Sequence, residues 1–84
     1  MIQKTVTPGT SAVLLSTLMG ISQRRCASVL LQGDITNTGN IYIGTEAGQN
    51  LVLDAGIIER LYVSYRDIYV KGTGAGDKLV VTLE

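Results

Sequence analysis

Several stretches of this sequence have the residue types of chemical sites. Gly72-Thr73-Gly74-Ala75-Gly76-Asp77-Lys78 has the glycine content of a phosphate-binding loop. It lacks the Gly-Lys-Ser/Thr ending that would set an amine and a hydroxyl on phosphate and magnesium. It also lacks dinucleotide-binding spacing and a following helix to meet a pyrophosphate. The stretch reads as a flexible hairpin, not a nucleotide site. Asp34 to Asn40 supplies oxygen side chains and a glycine, as calcium loops do, but the closing bidentate carboxylate is missing, since the next acid is Glu46. Asn and Asp side chains mimic backbone turns, so turn formation accounts for that composition and no metal is expected.

Catalytic sets are equally hard to assemble. Cys26 is the single cysteine and the chain has no histidine, so a thiol nucleophile lacks its usual base. Cys26 is expected to be a small buried or half-buried thiol at the start of a β-rich run. Asp54, Glu59 and Asp67 could converge as carboxylates, but turn position explains Asp54 and Asp67, and a solvated strand face or an ion pair with Arg60 explains Glu59. The expectation is no enzyme, no cofactor and no metal. Arg24-Arg25 reads as the exposed entry to a strand, with docking of an acidic partner as the alternative. Tyr62, Tyr65 and Tyr69 offer apolar area with a wet tip, suited to partial core burial or to an interface.

The elements that would carry these residues follow mainly a period of two. Ile2, Lys4 and Val6 oppose Gln3, Thr5 and Thr7 in a first strand, which Pro8-Gly9 ends. Ala12 to Ile21 allows one or two helical turns, with Val13, Leu14, Thr17 and Leu18 roughly sharing a face, or a short strand and an apolar connector. The irregular reading is preferred, so residues 8–24 are expected to be an irregular or interface-forming segment. Cys26 to Gln32 is β-rich, and Gly33-Asp34 with Asn37-Thr38-Gly39-Asn40 supplies turns before Ile41-Tyr42-Ile43, a pattern that predicts a hairpin. Leu51-Val52-Leu53 follows a polar loop and ends at Asp54-Ala55-Gly56. Ile57, Glu59, Leu61 and Val63 then alternate with Ile58, Arg60, Tyr62 and Ser64. Ile68-Tyr69-Val70 precedes the glycine-rich loop, and Leu79, Val81 and Leu83 face away from Lys78, Val80, Thr82 and Glu84. Seven to eight short antiparallel strands without a long helix predict an all-β domain, a small β-sandwich or barrel.

At 84 residues the chain is one domain, 1–84, with no repeat or linker. By the scaling for folded monomers about 4,800 Å² of about 12,900 Å² stays exposed, so about 63% of the surface is buried. Apolar burial then contributes roughly 120 kcal/mol against an ordering cost of about 125 kcal/mol. The terms cancel, and without a disulfide pair or metal cluster, self-association is the expected extra source of stability. Seven basic residues balance seven acidic ones, which leaves no broad basic field for nucleic acid. The apolar run from Ala12 to Ile21 is broken by Ser16, Thr17 and Gly20 and falls short of the roughly 20 residues that span a bilayer, so no membrane partner is expected. Met1 reads as the natural start, because the flanks of that run do not fit a secretory signal.

Arg25-Cys26-Ala27-Ser28-Val29-Leu30-Leu31-Gln32, Asn37-Thr38-Gly39-Asn40-Ile41-Tyr42-Ile43-Gly44, Leu53-Asp54-Ala55-Gly56 and Asp67-Ile68-Tyr69-Val70-Lys71-Gly72 together resemble small β-domains among the virion proteins of tailed bacteriophages. The similarity runs from about Arg24 to the C-terminus and rests on short, turn-dominated elements. It implies a structural virion part, either a capsid decoration (cement) protein or a small head, tail-fibre or baseplate module, with no catalytic residues to carry over. A decoration protein would associate with itself, commonly as a trimer. It would bind major capsid protein or another virion protein on the outer surface of the capsid, after synthesis in the host cytoplasm. The apolar segment exceeds what one cover strand of a tiny core needs, so Leu14, Leu15, Leu18 and Met19, with Tyr62 and Tyr65, are the expected contact anchors. In a fibre module, Tyr42 with Asn40 or Tyr69 would instead face host glycan.

Overall fold

The computed structural model describes residues 2–20, 28–62 and 65–84. Eight strands among them form two four-stranded antiparallel sheets: β1 (Ile2–Val6), β2 (Val13–Leu14), β3 (Val29–Gly33), β4 (Ile41–Gly44), β5 (Leu51–Leu53), β6 (Ile58–Leu61), β7 (Tyr69–Gly72) and β8 (Leu79–Leu83). One sheet has the order β1-β8-β3-β6 and the other β2-β7-β4-β5. A five-residue helix, α1 (Leu15–Met19), and a 3-10 turn, Tyr65–Asp67, complete the described elements. The alternation works as a sandwich requires. Val29, Leu31, Leu79, Val81 and Leu83 from the first sheet meet Ile41, Ile43, Leu53 and Val70 from the second in one buried cluster. The exposed area of 4658 Å² is close to the value expected from chain length.

Consecutive strands change sheets at nearly every step, and β4–β5 is the one hairpin between neighbouring strands among the described residues. This corrects two expectations. β3 and β4 do not form a hairpin: β3 pairs with β6 and β8, and β4 pairs with β5 and β7. The glycine-rich loop likewise joins β7 to β8 across the sandwich. Turn residues bend the chain equally well within a sheet or between sheets, and the side chains that choose between the two are distant in sequence.

Asp77 is one of these. The residue is buried, 4% exposed, and its carboxylate accepts the backbone N–H groups of Thr38 (3.2 Å), Gly39 (3.3 Å) and Gly74 (3.2 Å) and the Thr73 hydroxyl (3.5 Å). The Thr73 hydroxyl in turn accepts the Asn40 N–H at 3.0 Å. Asn37 adds a second tie: its amide donates to the Lys78 carbonyl and its oxygen accepts the Lys78 N–H, both at 2.7 Å. The two crossings are thereby fixed to each other. Gly39 has to be glycine, because a Cβ there would lie 2.0 Å from the Thr73 hydroxyl oxygen.

The segment expected to be irregular is so over residues 8–12, which form no helix or strand, but Val13–Met19 is regular. Val13 and Leu14 pair with Val70 and Tyr69, and the Leu15 N–H donates to the Ile68 carbonyl at 2.8 Å. One helical turn follows, ended by Gly20 at φ +69°, whose N–H reaches the carbonyls of Ser16 and Thr17. A helix this short draws its stability from tertiary burial, here of Leu15, Ser16 and Met19. Residues 21–24 of the same expected segment lie outside the described residues, as do Arg24, Arg25 and Cys26.

Candidate functional site

The core takes two of the expected contact anchors. Leu15 is 0% and Met19 2% exposed, so neither is free to meet a partner; their i, i+4 spacing turns both inward. This corrects the expectation for that pair. Leu18 is half-buried and packs against the core. Leu14 is half-buried on the other side of the chain. It lies opposite Tyr69 and so on the outer face of the β2-β7-β4-β5 sheet, because its neighbour Val13 stands opposite the buried Val70. Tyr62 is 76% exposed just after β6. Tyr65 begins the 3-10 turn, and its side chain lies outside what is described.

Three surface regions remain. The first is an open cleft of about 410 Å³ between the sheets, with an apolar floor of Ile43, Leu51, Leu61 and Ile68 and with Thr45 and Asp67 as its polar lining side chains. The second is an isoleucine tip: Ile35, 77% exposed, with the exposed Ile57 and Ile58. Gly56 joins these residues, since a Cβ at that position would touch Ile35 at 3.5 Å. A β-bulge shapes this end, where Gly33 accepts from the Gly56 N–H at 2.8 Å and donates to the Ile57 carbonyl at 3.1 Å. Apolar groups of this size left in water mark contact surfaces in small domains.

The third region is the outer face of the second sheet. Tyr42 lies opposite Lys71 and Val52, and Tyr69 opposite Gly44 and Leu14, so alternation brings both tyrosines to one side as diagonal neighbours. The Lys71 ammonium stands 5.8 Å from the centre of the Tyr42 ring, within cation–π range.

The charged groups serve structure. Arg60 does not pair with Glu59. Its Nε and Nη2 donate to the two oxygens of Glu84 at 3.0 and 3.1 Å, and the Ser28 hydroxyl donates to the same carboxylate at 2.7 Å. Ser28 first, and then Arg60, hold the Glu84 carboxyl below its usual value; the Glu84 fork, helped by Tyr62, raises the Arg60 guanidinium. Asp34 is lowered by the N–H and hydroxyl of Thr36, which donate to its Oδ1 at 2.9 and 2.7 Å. That oxygen therefore closes a turn, as the sequence implied. Among the described residues no group of three or more His, Cys, Asp or Glu side chains is placed to hold a metal ion, and no helix is long and apolar enough to cross a membrane.

Glu59 stands apart. It lies opposite Leu31 on β3, on the inward side of the edge strand β6, and its side chain makes no hydrogen bond or ion pair among the described residues. Its place in the alternation with Leu61 carried that signal, but the solvated-face reading hid it. Comparison with protein-family models, curated proteins and solved structures finds no match to this chain.

Proposed function

We propose that this chain is a structural building block that acts by docking its faces and edges against other protein subunits, as a capsid decoration protein of a tailed bacteriophage does. The observation that carries the reading is the amount of apolar surface outside the core. Ile35, Ile57, Ile58, Val52 and Tyr62 are all exposed on a domain of 84 residues, beside an open apolar cleft. Burying such surface at repeated contacts would add cohesion that the isolated domain lacks, and zero net charge limits repulsion between crowded copies. The resemblance of residues 24–84 to phage virion domains supplies the particle, with the chain on the outside of the shell in contact with itself and with major capsid protein. Electron microscopy of particles made with and without the protein tests this. Density repeated over the shell is expected, and density confined to a tail or neck position, or none, refutes the assignment.

A second reading is favoured by the face that carries Tyr42 and Tyr69. Two tyrosines on one outward side, with Lys71 beside them, suit a sugar ring, as a fibre module that recognises host glycan would require. A glycan array decides it: specific binding that is lost in Tyr42→Ala supports this reading, and no binding removes it.

A further inference from the structure

We infer that copies of this chain join head to tail through the edges of the first sheet, β6 of one copy adding to β1 of the next, with Glu59 meeting Lys4. The inference rests on the reading of the chain as a self-associating subunit and names the contact.

Among the described residues the β1-β8-β3-β6 sheet ends in two strands with one neighbour each, and each edge carries one charge on the inward side. Lys4 lies opposite Val81, Val81 opposite Leu31, and Leu31 opposite Glu59, so the two charges are the ends of one cross-strand row. Three strand spacings separate them, about 14 Å, so they cannot pair within one chain. The Lys4 ammonium donates to the Met19 carbonyl at 3.2 Å and keeps further donors, while Glu59 has no partner among the described residues. An inward charge on an edge strand opposes pairing with a like edge. β1 against β1 in this row would set lysine on lysine, and β6 against β6 glutamate on glutamate. Only β6 against β1 sets opposite charges together.

Strand direction and hydrogen-bond phase fit the same contact. Neighbours alternate in direction across the sheet, so β6 runs opposite to β1 and a head-to-tail copy continues the antiparallel pattern. The Gly33 N–H donates to the Ile57 carbonyl, which turns the backbone of Glu59 and Leu61 toward β3 and leaves that of Ile58 and Arg60 on the open edge. The Glu84 N–H donates to Ser28 and the Asp34 N–H to Lys78, so β8 gives its even-numbered residues to β3 and its odd-numbered ones to β1. The backbone groups of Gln3 and Thr5 thus face the β1 edge and meet no strand among the described residues. With Glu59 opposite Lys4, Arg60 falls opposite Gln3 and Ile58 opposite Thr5, so free donors and acceptors face each other. The half-buried Leu61 falls opposite the half-buried Ile2, which extends the apolar layer across the joint. A head-to-tail contact of this kind closes into a ring or propagates as a filament, according to the rotation between copies.

Sedimentation velocity of the full chain over a concentration series tests the contact, with Glu59→Lys, Lys4→Glu and the double exchange alongside. Association of the natural sequence is expected, with a dissociation constant about tenfold or more higher in each single reversal and restored in the double. A monomer at every concentration overturns both this contact and the self-association reading. Association that neither reversal weakens, or that the double fails to restore, overturns the contact alone. Oxidation of mixed Lys4→Cys and Glu59→Cys chains, each with Cys26→Ser, gives an independent readout. A disulfide joining position 4 of one chain to position 59 of another is expected, and its absence overturns the contact whatever the charge variants do.

Discussion

Replacing Asp77 with alanine removes the acceptor that ties the β3–β4 and β7–β8 crossings together. Four donors lose their partner: the N–H groups of Thr38, Gly39 and Gly74 and the hydroxyl of Thr73. A hydrogen bond to a charged group contributes about 1.5 to 3 kcal/mol net when short and dry. These bonds span 3.2 to 3.5 Å, and the loops are partly wet, so about 1 kcal/mol for each backbone donor is appropriate, or about 3 kcal/mol together. For a domain of this size that corresponds to a fall in Tm of about 12 to 24 °C. Asp77→Asn keeps one oxygen for Thr38 and Gly39 but turns an amide N–H2 toward Gly74, so about half the loss is expected, about 1.5 kcal/mol. Urea unfolding followed by circular dichroism measures both. If Asp77→Ala stays within about 0.5 kcal/mol of the natural protein, the carboxylate does not hold the crossings together and the account of the topology fails.

Other outcomes follow from the packing and the charges. Leu15→Ala is expected to cost about 2 to 5 kcal/mol in urea unfolding, whereas Leu14→Ala, on the outer sheet face, costs less than about 1 kcal/mol; equal costs would contradict the sidedness of this segment. Gly33→Ala places a Cβ 2.5 Å from the Asp54 carbonyl oxygen, and Gly39→Ala meets Thr73 and Asp77, so each is expected to destabilise by about 2 kcal/mol or more, read as a lower midpoint in urea. The lowered Glu84 carboxyl binds a proton more readily in the unfolded chain than in the folded one. Its stabilising contribution is therefore present above its usual value of 4.5 and is lost as pH falls through the lower folded value. Glu84→Gln should accordingly be less stable than the natural protein near neutral pH and converge with it in acid. A constant difference across that range would refute the Ser28 and Arg60 account.

Period-two alternation made the strands legible because burial on one face of a sheet leaves its mark on every second residue. β1 and β8 run close to the stretches that alternation predicts. Strand pairing was not legible. Asp34 to Asn40 and Gly72 to Asp77 have ordinary turn composition, and nothing local tells a return within a sheet from a crossing between sheets. The residues that decide, Asn37 with Lys78 and Asp77 with Thr38 and Gly39, lie about 40 positions apart. The apolar run over Ala12 to Ile21 was ambiguous because two strand residues and one helical turn share it, so Leu15 and Met19 look like surplus until the helix turns them inward. Glu59 was visible as a charge in an otherwise apolar row. Its lack of a partner became evident only once the register put Lys4 at the far end of that row.

The position of β8 has a consequence for biosynthesis. It lies between β1 and β3, so β1 joins the rest of its sheet only through a strand made more than 70 residues later. Until Leu79–Leu83 emerges, β1 has no strand partner among the described residues and β3 is open along one edge. Such a nascent chain waits with its apolar residues uncovered and then folds in a single late step. A chain cut before Leu79 would therefore be a sticky, unfinished polypeptide instead of a slightly shortened domain.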